Sequence, residues 1–289
     1  MGGNGTGSGR VAGTLAALLV LSFTSVAAAQ MRQQTLKPAP TPTPAPTATP
    51  TPVPEAGPTP PELRPSPLVE ADRHLLAYRT KAAREVLDAV KEKAATDAGV
   101  AVALGRVLEQ EKKYPEAVAQ LQAAATIAAE DPAAQVFLGE TLLRQKKATE
   151  ATAAFKRAAA QAEKAVTAQE SDVHALYYLG VAQQRLKQYD KAVAALEKAR
   201  AVEPANPLVT YQIGVTRAFQ QRWPDAVAEL TKAIEADSGI AYAYYYRALS
   251  QDKLGKKDQL VLDMERFLAL AAAAPEAEQA AAIVKAAKR

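Results

Sequence analysis

Residues 173–206 read VHALYYLGVAQQRLKQYDKAVAALEKARAVEPAN, and the spacing inside this stretch decides the fold. Leu176, Leu179 and Gly180 recur at intervals of three and four, which puts them on one face of a first helix. Gly180 leaves room there for a neighbouring element to approach closely. Gln188-Tyr189-Asp190 reads as a turn, Ala192, Leu196 and Ala199 line one face of a second helix, and Pro204 ends it. The small-large-small order lets one helix seat between two turns of its partner, so the stretch is an antiparallel helical hairpin.

The hairpin repeats. Leu104-Gly105, Leu138-Gly139, Leu179-Gly180 and Ile213-Gly214 follow one another at steps of 34, 41 and 34 residues, and a further 34 reaches Arg247-Ala248. In phase run Ala117, Ala151, Ala192 and Ala226, and seven residues later Ala124, Ala158, Ala199 and Ala233. Between them stand Leu121, Phe155, Leu196 and Leu230. A fixed period of this size means hairpins stacked in an array, each burying its apolar face on its neighbours. Boundary chemistry agrees. Asp131-Pro132 and Asn206-Pro207 place a capping side chain before a proline at the first helical position, and Asp172 caps the helix that carries His174. Lysines gather where first helices end (Lys112-Lys113, Lys146-Lys147, Lys187, Lys256), which suits the negative end of the helix dipole. The alternative is a basic edge for an anionic polymer.

The 41-residue unit carries its surplus between Ala158 and Leu176. Seven residues are close to two helical turns, and 161–170 contains no Gly or Pro, so the surplus predicts a longer, protruding second helix. Two roles stay open for it, a tolerated extension or a docking feature.

Ahead of the array lie two segments of other character. Residues 1–29 read as a secretory signal peptide: Arg10 supplies the positive charge, Val11 to Phe23 the apolar core, and Ala27-Ala28-Ala29 the cleavage site. An uncleaved inner-membrane anchor is the alternative. Residues 30–67 form a Pro/Thr-rich linker, and 38–67 hold 13 of the 19 prolines. Proline cannot donate a backbone hydrogen bond, so the segment favours extended geometry with a reach of roughly 90 Å. It reads as a solvated linker, a wall-crossing tether or a glycosylated stalk. Export places the chain in the periplasm or outside the cell. The net charge of +4 is too mild over 289 residues to argue for nucleic acid, and the absence of cysteine excludes disulfides, thiolate zinc sites and a thiol nucleophile.

With Leu-Gly at positions 7 and 8 of each unit, Ala at 20, a large apolar residue at 24 and Ala at 27, the chain resembles the tetratricopeptide repeat family. Tyr114, Tyr189 and Trp223 fall on its aromatic position 17. The resemblance spans 98–274 as five units, 98–131, 132–172, 173–206, 207–240 and 241–274, the last with Leu260, Met264 and Phe267 at divergent positions. Residues 68–97 read as amino-terminal capping helices or a half-repeat, and 275–289 as a closing helix. The resemblance implies an all-α fold, a right-handed superhelical array of antiparallel helix pairs.

It also implies that positions 2, 5, 9, 12 and 13 of each unit line a concave face. Position 5 holds Val102, Val136, Tyr177, Tyr211 and Tyr245, and position 9 holds Arg106, Glu140, Val181, Val215 and Leu249. With Leu208, Phe219 and Tyr242, the carboxy-terminal half becomes an apolar and aromatic groove, whereas Arg106, Glu109, Glu140 and Arg144 charge the amino-terminal half. The tyrosines read either as packing or as a ladder for a partner protein or peptide. The Lys/Asn/Arg set by which some family members clamp a terminal carboxylate is absent.

No nucleophile–base pair, phosphate loop or metal-ligand spacing occurs, so no catalytic, cofactor or metal site is expected. The functional expectation is a non-enzymatic protein–protein interaction scaffold of the bacterial cell envelope, binding its partner on the concave groove. The alternative is a structural or cell-wall-associated protein that self-associates through its repeats. Among partners, neither nucleic acid nor a membrane span after signal cleavage is expected, and the Pro/Thr stalk is a candidate for peptidoglycan association.

Overall fold

A computed structural model describes residues 67–288. The signal segment 1–29 and all but the last residue of the 30–67 linker lie outside the described residues. Those described form α-helices joined by short turns: α1 (Pro67–Leu76), α2 (Thr80–Asp88), α3 (Ala98–Gln110), α4 (Tyr114–Ile127), α5 (Pro132–Arg144), α6 (Ala148–Ala168), α7 (Val173–Arg185), α8 (Tyr189–Val202), α9 (Pro207–Phe219), α10 (Trp223–Ala236), α11 (Ala241–Lys253), α12 (Lys257–Leu270) and α13 (Ala277–Ala287). A 3-10 turn over Lys91–Ala95 links α2 to α3. Each odd-numbered helix from α1 to α11 packs on the even one that follows, and successive odd helices pack side by side.

Local chemistry explains the boundaries. Asp97, Asp131, Asp172 and Asn206 accept from the backbone N–H of Val100, Ala133, Ala175 and Leu208 at 3.2, 2.8, 2.9 and 3.0 Å, so four first helices have side-chain caps. Pro132 and Pro207 open α5 and α9 where no intrahelical N–H is needed. The first helices all close the same way. Lys112, Lys146, Lys187 and Gln221 stand at left-handed φ of 61–62°, and Gly255 takes φ 73° at the same register. The N–H of the next residue then reaches back to the helix, as from Lys113 to Leu108 and from Gln188 to Gln183. This is a Schellman closure, in which glycine normally spares the cost of the left-handed turn. Tyr78, at φ 50°, repeats it between α1 and α2.

Within each pair the glycine at position 8 faces the large residue at position 24. A Cβ on Gly180 would lie 2.5 Å from Leu196 Cγ, and one on Gly139 would lie 2.6 Å from the Phe155 ring. In the last unit Ala248 takes the glycine position and the unbranched Met264 takes the opposite one, both fully buried. The first pair, with Ala71, Ala83 and Leu87 in its core, keeps the same phase.

The surplus residues of the second unit lengthen α6 to 21 residues, against 14 for α4, α8, α10 and α12. The expected free protrusion is corrected for most of this length. Gln161 donates to the Ala129 carbonyl, Lys164 pairs with Glu130 at 2.7 Å, and Ala162 is buried. The added turns therefore lie against the α4–α5 connection on one side, while Glu163 and Lys164 on the other side and the tip beyond Val166 are exposed. At the far end α13 packs loosely, with Ala280 fully buried and Ile283, Val284 and Ala287 partly so.

Candidate binding face

Side chains at positions 9, 12 and 13 build a ladder of buried ion pairs, each arginine reaching back to a carboxylate one unit nearer the amino terminus. Arg106 of α3 bonds Asp72 of α1 at 2.7 Å, Arg144 of α5 bonds Glu109 of α3 at 3.2 Å, and Arg185 of α7 bonds Glu140 of α5 at 2.5 Å. All six side chains are less than 10% exposed. The Arg106 guanidinium also lies over the Phe137 ring, 4.7 Å from its centroid. Beyond α7 the ladder stops, because α9 presents Phe219 where α5 and α7 present Arg144 and Arg185.

Burial in this interior disfavours charge. It pushes Glu140 up to about 7 and Asp72 up to about 6, with Arg185 and Arg106 only partly offsetting the loss of water. Burial also raises Glu109 against the pull of Arg144. Several donors remain without a protein partner: Nε and Nη2 of Arg106, Nη2 of Arg144 and Nη2 of Arg185, alongside the acceptor Oε2 of Glu140.

The aromatic half is packed solid. Tyr177, Val181, Leu208, Tyr211, Val215, Tyr242 and Tyr245 are all buried, Val181, Tyr211 and Val215 to 0% exposure. Only Phe219 and Leu249 are partly exposed. All nine belong to one continuous core cluster or pack against it. The rings contact one another: Tyr211 and Phe219 lie 6.5 and 6.3 Å from Tyr246, Phe219 stacks on Tyr189 at 5.9 Å, and Tyr242 meets Tyr245 at 5.9 Å. The expected open apolar ladder is corrected here. The register is as expected, but the face is filled by the chain's own side chains, which favours packing as the reading of most of the tyrosines.

The reason is closure from both ends. Tyr78, in the α1–α2 turn, and Glu276, between α12 and α13, reach the same point on the concave face. The Tyr242 hydroxyl bonds the Glu276 carboxylate and stands 3.1 Å from the Tyr78 hydroxyl. Arg144 Nη1 lies 3.5 Å from Glu276 Oε1. A carboxylate only accepts, so the single Tyr242 proton goes to Glu276 and Tyr78 donates to Tyr242. Tyr78, Asp72, Arg185 and Glu276 were not singled out from the sequence. Arg185 was within reach, since it occupies position 13 as Arg144 does. Beyond the cap Asp172, His174 has a second acidic neighbour that lies far off in sequence, Asp131 of the preceding unit, at 3.0 Å. Burial works against its protonation, but that bond and charge carry it upward.

A tetratricopeptide repeat model matches residues 173–206, and a second matches 102–165. The chain is a tetratricopeptide-repeat protein. No curated protein sequence matches it. Among solved structures it is similar to TTC0263, a thermophilic tetratricopeptide-repeat protein of Thermus thermophilus. The identity is 18%, the match covers 66% of this chain and 98% of that one, and the TM-score is 0.52. It is also similar to the human IFIT1 dimer with PPP-AAAA, at 16% identity, 66% and 46% coverage and TM-score 0.50. These likenesses establish the fold. A tetratricopeptide-repeat array is an interaction architecture, since stacked hairpins present extended surfaces. Among the described residues, no helix is long and apolar enough to cross a membrane.

Proposed function

We propose that this tetratricopeptide-repeat protein is a non-catalytic interaction scaffold of the bacterial envelope, exported by residues 1–29, held on the Pro/Thr-rich linker, and binding a partner peptide along its concave face. The observation that carries the binding face is the row of buried arginines at Arg106, Arg144 and Arg185, which keep unpartnered N–H groups beside an aromatic floor. Buried donors of this kind are costly unless a ligand or water completes them, and they give a peptide polar anchors that a plain hydrophobic core would lack. Phe219 and Leu249, the partly exposed members of this apolar face, mark its accessible rim.

Photo-crosslinking in cells tests this reading. A photoreactive residue at Phe219 or Leu249 should yield discrete partner adducts recovered from the envelope fraction. The same probe at Leu262, 64% exposed on the solvent face of α12, should not. Adducts of equal yield from all three positions, or none from the rim, contradict concave-face binding. An adduct made only of a second copy favours self-association.

A further inference from the structure

Glu276 lies in a receptor assembled from distant parts of the chain. Arg144 comes from α5, Tyr242 from α11 and Tyr78 from the first turn, at separations of 132, 34 and, between the two tyrosines, 164 residues. Guanidinium and phenol donors converge on its two carboxylate oxygens, one on Oε1 and the other on Oε2. This is the chemistry of a carboxylate site. We propose that the segment Ala271–Glu276, the connection from α12 to α13, is an internal occupant of the concave face through Glu276, and that its natural competitor is a partner peptide whose acidic side chain takes the place of Glu276. The inference rests on the scaffold reading above and names the chemistry of its ligand.

Two further observations mark the occupant as displaceable. First, its bond to Arg144 is incomplete. Nη1 sits at 3.5 Å, the outer limit of a hydrogen bond, and Nη2 of this side chain, only 7% exposed, has no partner. An incoming carboxylate free to align can engage two guanidinium nitrogens at once, which an arginine–carboxylate pair prefers. Second, the segment is weakly held. Residues 271–282 read AAAAPEAEQAAA, and small side chains bury little apolar area. In α13 only Ala280 is fully buried. An element with so few large contacts opens at low cost while the rest of the array stays folded.

The ligand class follows from the occupant: a short segment with an acidic residue among small apolar ones. It would lay its carboxylate on Arg144 and Tyr242 and its small side chains against the surface that Ala271 and Ala274 cover.

A labelled synthetic peptide of residues 271–282 is the probe, with a second peptide in which the first glutamate is glutamine. Binding is measured on the full chain and on its Glu276→Ala variant, with thermal melts to confirm folding. We expect the glutamate peptide to bind Glu276→Ala at least tenfold more tightly than wild type, and the glutamine peptide to bind neither. Equal affinity for both proteins, equal affinity of both peptides, or no binding to a folded Glu276→Ala overturns the proposal. Hydrogen exchange on wild type is the second measurement: saturating glutamate peptide should speed exchange over 271–287, and unchanged exchange contradicts displacement. These outcomes are separate from the crosslinking test, which can succeed on a partner without acidic residues and then sinks only the self-ligand.

Discussion

The hydroxyls of Tyr78 and Tyr242 stand 3.1 Å apart although the two residues are separated by 164 positions. One belongs to the first helical hairpin and the other to the last, so their meeting closes the array on itself. Ring centroids 5.7 Å apart and the bond from Tyr242 on to the buried Glu276 make the junction a packed contact with polar specificity.

Closure should therefore be measurable as coupled stability. Tyr242→Phe leaves the buried Glu276 without its phenolic donor and should cost about 1–3 kcal/mol in urea denaturation. Tyr78→Phe should cost less, since it removes only the outer donor. In a double-mutant cycle the two changes should fall short of additivity. Strict additivity would show that the tyrosines do not act as one junction.

Acidity should stabilise the fold. The folded-state values of Glu140, about 7, and Asp72, about 6, lie above the 4.5 and 3.8 of the free side chains. The folded state thus binds more protons between those limits. Their joint contribution is fully present below about 3.8 and is lost as pH rises through 6 and 7. The melting temperature should fall between pH 5 and 8, and Glu140→Gln should flatten that slope. A melting temperature that rises over the same range in wild type refutes the assignment.

How far the fold could be read from sequence shows in particular residues. Gly180 and Leu196 announce their contact by spacing, because helix geometry alone brings positions 8 and 24 of one hairpin together. Asp131, Asp172 and Asn206 announce their caps by preceding an apolar run. The lengthened α6 follows from a helix-compatible surplus close to two turns. The closure follows from none of these. It depends on a small rotation per unit summed over the whole array, and no local pattern encodes whether Tyr78 will arrive beside Tyr242. Val181 and Val215 were placed on the right face for the same local reason, and expected in the wrong environment for the same global one.

Gly180→Ala tests the hairpin contact. Its Cβ would lie 2.5 Å from Leu196 Cγ and 3.2 Å from the Ala192 carbonyl, so overpacking should cost roughly 1–3 kcal/mol. Adding Leu196→Met should recover part of the loss, as the Ala248 and Met264 pair does natively. No loss on the single substitution would contradict the geometry.

Lys146→Gly tests the left-handed closures. Lys146 holds φ 61° in a Schellman turn, where glycine avoids the steric cost of a side chain. Net of glycine's greater freedom when unfolded, stability should rise by up to about 1 kcal/mol in urea denaturation. Destabilisation would mean that the lysine side chain contributes more than its backbone costs.

The central claim is that the concave face is closed and occupied from within, and the chain's lack of cysteine makes a direct measurement straightforward. Spin labels on cysteines placed at the exposed Arg79 and Glu278 report the distance across the junction by double electron–electron resonance. The account predicts one short, narrow distribution in wild type that lengthens and broadens with Glu276→Ala. A long, broad distribution in wild type, or one unmoved by Glu276→Ala, would contradict it.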